Sequence, residues 1–254
     1  MLTVQYPSTI APALPQGWSL AEVLLSSSYN GFGTASLKTD VSELSKCVSY
    51  FRQIGKTGKI VLMGHSTGCQ DVLEYLVGSG ASDRAKINGG ILQGGVSDRE
   101  ALAEMSPNLE QTVEEVRKLV EEGKGEDALG MKFTQGIYGV APVTARRFLS
   151  LASRGGDDDY FSSDLPDEAL QKSLGSLPQD IGLCILVSGS DAYIPEKVDK
   201  EALLERWLGF ARRSGAKVDG NSVVVEGASH SLNGDPEEVV QRLVKRVVGF
   251  LTNL

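Results

Sequence analysis

Ser66 lies at the centre of Gly64-His65-Ser66-Thr67-Gly68, between the apolar run Lys59-Ile60-Val61-Leu62-Met63 and a helix-forming stretch from Cys69 to Val77. A Gly-x-Ser-x-Gly pentapeptide at a strand-to-helix junction holds its serine at a strained backbone position with the hydroxyl raised above the sheet. Small residues two before and two after it let strand and helix approach closely. The backbone N–H of Thr67, at the helix N-terminus, would then face an oxyanion formed on a substrate attached to Ser66. An ordinary Gly-rich turn uses the same residue types. The placement between a strand and a helix favours the nucleophile.

A serine hydroxyl is a weak nucleophile near neutral pH and needs a positioned base, most often histidine. The chain has 2 histidines. His65 precedes the serine, and its side chain is expected to point away from the site into packing. His230 is therefore the candidate base. It follows the strand-like run Ser222-Val223-Val224-Val225-Glu226 in the loop Gly227-Ala228-Ser229-His230-Ser231, ahead of an amphipathic helix from about Pro236 to Leu251. The base needs a carboxylate to orient it and to stabilise its protonated form, and the expected chain order is Ser, acid, His. The run Leu183-Cys184-Ile185-Leu186-Val187-Ser188 ends in Gly189-Ser190-Asp191, which makes Asp191 the candidate. Glu226 and Asp219 are rivals by proximity to the last strand, and a turn-forming role is the competing account of Asp191 itself.

The elements that must carry these residues alternate. Strand-like runs fall near Ser19–Ser26, Lys59–Met63, Gly89–Gln93, Leu183–Ser188 and Ser222–Glu226. Helical patterns fall near Leu37–Ile54, Cys69–Val77, Lys197–Ser214 and Pro236–Leu251. Such alternation predicts a mostly parallel sheet covered by helices on both faces. Between Gln93 and Leu183 the pattern turns to helices and polar loops, at Asp98–Met105, Asn108–Glu122, Val143–Ser153 and Asp167–Leu174. This predicts a hydrolase core of residues 1–96 and 176–254 with a helical cap, residues 97–175, inserted over the site. Tyr138, Phe148, Tyr160 and Phe161 are candidates to line a pocket there, with packing inside the cap the competing account.

At 254 residues and 41% hydrophobic content, one large core suffices. No run approaches the ~18 apolar residues of a membrane span, and no signal-peptide pattern opens the chain. A net charge of −8 without a basic patch argues against nucleic acid as a partner. The 3 cysteines, Cys47, Cys69 and Cys184, read as free thiols of a reducing, cytoplasmic compartment, with Cys69 close enough to Ser66 to border the pocket. Asp157-Asp158-Asp159 lacks the spacing of a calcium loop and reads as a solvated loop. Neither Gly31-Phe32-Gly33 nor Gly89-Gly90 forms a dinucleotide fingerprint. No cofactor or metal is expected, and the sequence does not specify an oligomeric state.

Three segments, Leu25 to Thr34, Met63-Gly64-His65-Ser66-Thr67-Gly68-Cys69-Gln70-Asp71, and Leu92 to Ala101, together resemble a fungal family of α/β-hydrolases long labelled a domain of unknown function. The resemblance extends from about Leu2 to the C-terminus, and the extension Ser-Thr-Gly-x-Gln-Asp is its most specific part. Its best-known member type is an intracellular ester hydrolase that opens fusarinine-type siderophores. The resemblance implies an α/β-hydrolase fold, a catalytic Ser66, Asp191 and His230, and an ester of a hydroxamate siderophore as substrate. Fold alone does not fix substrate.

The family pattern opens with an apolar strand and a Gly-rich loop that gives the second oxyanion donor. Here the chain starts at Met1-Leu2-Thr3-Val4-Gln5-Tyr6-Pro7, and that strand and loop are missing, so the elbow strand is expected to lack its inner neighbour. Either the chain is a shortened form or another segment stands in. The expected reaction is acyl transfer through an acyl-serine to water. Alternatives are a carboxylesterase, lactonase or thioesterase of other metabolism, and a degenerate hydrolase that only binds.

Overall fold

A computed structural model describes residues 4–134, 138 and 141–254. Helix α1 (Pro7–Ala13) and helix α2 (Leu37–Gln53) precede strand β1 (Val61–His65), helix α3 (Gly68–Val77) and strand β2 (Gly89–Gln93). Helices α4 (Asp98–Met105), α5 (Leu109–Glu121), α6 (Met131–Thr134), α7 (Ala145–Ala152) and α8 (Asp167–Lys172) follow without an intervening strand. Strand β3 (Gly182–Ser188), helix α9 (Lys200–Ser214), strands β4 (Lys217–Val218) and β5 (Val223–Val225), and helix α10 (Glu237–Asn253) complete the chain.

Among the described residues the strands of the sheet pair in parallel throughout. The strand order is β1-β2-β3-β4, with β5 also paired to β3. Parallel strands buried on both faces read as continuous apolar runs, and β3 is buried at every position. Its side chains nonetheless divide with the two-residue period of a strand. Leu183, Ile185 and Val187 join Leu73, Leu92 and Trp207 in one core, while Cys184 and Leu186 join Ile91, Val247 and Phe250 in the other. The sheet thus lies between two helical layers, as predicted.

The expected strand near Ser19–Ser26 is not a strand. Residues 19–25 run extended without ladder partners, and Val23 and Leu25 pack instead against Val41, Leu44 and Val48 of α2. Among the described residues β1 is paired only with β2, so the elbow strand forms the outer edge of the sheet.

Helices α4, α5 and α7 share a core of their own, built on Leu102, Val113, Val116, Phe148 and Leu151. A buried polar cluster joins them to α2 and α3. Arg147 pairs with Asp158 at 2.6 Å, both side chains nearly inaccessible, and its Nε donates to the Phe32 carbonyl at 2.9 Å. Gln70 Nε2 donates to Asp98 at 2.7 Å. Asp40 and Asp71 are buried close by. Burial, then the negative charge of Asp40 and Asp158, raises the Asp71 carboxyl to about 8. Burial and Asp158 raise Asp98 to about 7. The run Asp157-Asp158-Asp159 is therefore not a solvated loop. Asp158 is in this cluster, and the Asp159 side chain is buried beside Arg99.

A carboxyl group whose folded pKa lies above its unfolded value near ~3.9 withdraws stability as pH rises between the two. For Asp71 that window runs from about pH 4 to about 8. Asp71→Asn, which never charges, is therefore expected to be more stable than the native chain, with a margin that widens across this window and levels off above it. Urea melts at pH 5 and pH 8 test this, and an equal or narrowing margin at pH 8 contradicts it.

Candidate active site

Strand β1 ends in the elbow. Ser66 has φ 55°, a left-handed conformation that costs a residue with a Cβ about 1–3 kcal/mol. Two backbone bonds hold it there: Ser66 N–H donates to the Gln93 carbonyl at 3.1 Å, and Cys69 N–H donates to the Ser66 carbonyl at 2.8 Å. A Cβ at Gly64 would stand 2.1 Å from the Gly68 carbonyl oxygen, so only glycine lets strand and helix meet here. Gly68 differs, since a Cβ there would meet nothing within 4 Å.

The side chains that face Ser66 come from the carboxyl ends of other strands, where open parallel sheets place their sites. His230 Nε2 lies 2.8 Å from Ser66 Oγ. His230 Nδ1 lies 2.8 Å from Asp191 Oδ2, and Asp191 Oδ1 accepts the backbone N–H of Tyr193 at 3.0 Å. The Asp191 side chain is fully buried while that of His230 is 17% exposed, so the relay opens outward at the base. The loops bearing the two residues are laced together, Gly189 N–H to Val225 carbonyl at 3.0 Å and Ser190 N–H to Ala228 carbonyl at 2.8 Å. Thr67 is exposed at the N-terminal end of α3, beside Ser66.

The rivals for the acid lie elsewhere. Asp219 accepts from Asn221 and Asn253, and the Glu226 side chain is 92% exposed beside Arg242. Cys69 does not border the pocket. It is fully buried, its Sγ–H is directed at the Gly64 and Gln93 carbonyls, and burial pushes its thiol pKa well up. Phe148 and Phe161 are core residues, Tyr138 packs on Phe32, and the Tyr160 hydroxyl donates to Glu74 at 2.7 Å. Phe161 also borders a cavity of about 10 Å³ that it shares with Gly95, Tyr193 and Trp207.

His65 does not point away. Its ring centroid is 4.9 Å from that of His230, and its Nδ1 is 2.6 Å from Gln93 Oε1. Burial lowers its pKa to about 4, against the opposing effect of the Gln93 bond. Tyr193 also packs edge-on against His230, with centroids 4.7 Å apart. Sequence reasoning also missed Gln93 and Tyr193. The available signals were a glutamine ending an apolar strand and an aromatic residue two positions after the acid. Among the described residues no group of three or more His, Cys, Asp or Glu side chains is arranged to hold a metal, and no helix is long and apolar enough to cross a membrane.

Comparison with known proteins gives a consistent picture. The family model described as "Protein of unknown function (DUF1749)" matches residues 1–252. The chain is 35% identical to the fusarinine C esterase sidJ of Aspergillus fumigatus, over 100% of this chain and 86% of that protein. It is 35% identical to esterase AN6793 of Emericella nidulans, over 99% and 83%. The solved siderophore hydrolase EstB from Aspergillus fumigatus superposes with a TM-score of 0.84 at 35% identity, covering 99% of this chain and 86% of that one. A monoglyceride lipase from Saccharomyces cerevisiae, 14% identical with a TM-score of 0.56, shares the fold.

The elbow yields a direct test. Gly64→Ala should destabilise the protein at or above the upper end of the roughly 1–3 kcal/mol typical of overpacking and abolish turnover, because backbone must move beside Ser66. Gly68→Ala should keep both within a small margin. Thermal melts and ester turnover compare the two, and similar losses would show that spacing at the elbow is not limiting.

Proposed function

We propose a function from one premise: this chain belongs to the DUF1749 family and has the α/β-hydrolase fold. It is an ester hydrolase. The observation that carries the proposed mechanism is the continuous relay from Asp191 through His230 to Ser66, with 2.8 Å at each step. His230 takes the Ser66 proton as the hydroxyl attacks the ester carbonyl, and buried Asp191 stabilises the imidazolium that results. The Thr67 N–H, reinforced by the start of α3, faces the oxyanion. His230 protonates the leaving alcohol, then activates the water that hydrolyses the acyl-serine.

The substrate is an ester of a hydroxamate siderophore or a related metabolite, supported by relatives named fusarinine C esterase and siderophore hydrolase. Residues 97–175 form the cap that shapes its pocket, supported by the helical run from α4 to α8 and its separate core. The three free cysteines support a cytoplasmic location. The mechanism calls for no metal or organic cofactor.

Ser66→Ala should fold and lose turnover by about 10⁴-fold or more. Asp191→Asn should lower kcat strongly with KM nearly unchanged, and Glu226→Gln should do far less. Wild-type protein should react covalently with a fluorophosphonate probe, a reaction a degenerate binder would not give. Mass spectrometry of products from a panel of ferric and iron-free siderophore esters, lactones, thioesters and simple acyl esters then assigns the substrate. Preference for a lactone or thioester would replace the siderophore assignment and keep the mechanism; full activity in folded Ser66→Ala would remove the mechanism.

A further inference from the structure

The histidine of the elbow, His65, is too well held to be mere packing. Gln93 is fully buried at the end of β2, and its amide is oriented by bonds at both ends. Its Nε2 donates to Ser188 Oγ at 3.1 Å, and its Oε1 accepts the Tyr6 hydroxyl at 2.9 Å. The same Oε1 faces His65 Nδ1 at 2.6 Å. With the amide oxygen turned to this side, which can only accept, Nδ1 carries the hydrogen, and burial keeps the ring neutral, so the other ring nitrogen is bare. The imidazole lies with its centroid 4.9 Å from that of His230, and the Tyr193 ring lies 4.7 Å from that same His230 ring. His230 is therefore in contact with two rings, while Asp191 and Ser66 hold its two nitrogens.

We propose that His65 is a positioning residue for His230: a neutral imidazole, locked by Gln93, Tyr6 and Ser188 in its Nδ1–H tautomer, that holds the base in line between Asp191 and Ser66. The assignment rests on the acyl-serine mechanism above. A neutral ring suits the position because His230 becomes an imidazolium during serine attack, and a second cation beside it would oppose that charge. The lock also explains why Tyr6, far from Ser66 in sequence, is buried against the elbow, with its ring centroid 6.1 Å from that of His65. A base displaced by even ~1 Å loses much of the advantage of orientation.

Two independent measurements test this. In protein labelled with ¹⁵N-histidine at pH 7, His65 should show the neutral Nδ1–H tautomer, and Gln93→Leu should convert that signature to a mixture of tautomers. With p-nitrophenyl acetate, His65→Ala should lower kcat by about 10-fold to 10²-fold at nearly constant KM, and His65→Phe, which restores the ring without the Gln93 bond, should recover part of the loss. An Nε2–H or protonated His65 in the wild-type protein overturns the proposal, as does a folded His65→Ala whose kcat is within twofold of wild type. If His65→Ala does not fold, the tautomer measurement decides alone. Failure of the acyl-serine mechanism would appear separately, as full turnover in Ser66→Ala.

Discussion

The left-handed backbone at Ser66 is the constraint on which the rest of the site depends. A residue with a Cβ holds that conformation only where its surroundings over-determine it, and here the principal brace is β2. The Gln93 carbonyl accepts the Ser66 N–H and also faces the Cys69 thiol, while the Gln93 side chain grips His65. One residue of the neighbouring strand thus fixes the Ser66 backbone with its main chain and, with its amide, the ring beside His230. The parallel register, which sets His65 opposite Gln93 and Gln93 opposite Leu186, brings these groups to one level of the sheet.

Much of this was legible in the sequence because it rests on local patterns. The elbow is a contiguous motif, and Asp191 and His230 each follow a short apolar run that could only be a strand in this alternation. Long helices such as α2 and α10 announced themselves by apolar spacing. What failed was what depends on tertiary contact. Residues 19–25 have the composition of a strand, yet they meet α2 rather than a strand neighbour. His65 was assigned away from the site because residues flanking a nucleophile on a sharp turn are expected to diverge, and only the position of Gln93 and Tyr6 reveals that it turns back. An acidic run such as Asp157-Asp158-Asp159 reads as solvated unless the burying partner is known, and Arg147 lies on a different element.

Two of the three segments that carry the resemblance meet directly, and the first reaches Arg147 of α7. Phe32, from the first, accepts Arg147. Gln70, from the extension of the elbow, donates to Asp98 of the third. Phe32 and Gln70 thus tie α7 and α4 to the segments around α2 and α3, a long-range requirement that no window of sequence can display.

The edge position of β1 has a consequence for the rhythm of local opening. With a strand partner on one side only among the described residues, β1 lacks on its outer side the ladder bonds that retard exchange with solvent in β2 and β3. Edge elements belong to the less protected cooperative units of a fold. Ser66 therefore follows a strand whose amides should exchange more readily than those of β2 and β3, as those of β4 and β5 should at the other edge, and the persistence of the Ser66 geometry is tied to how often the β1 edge opens.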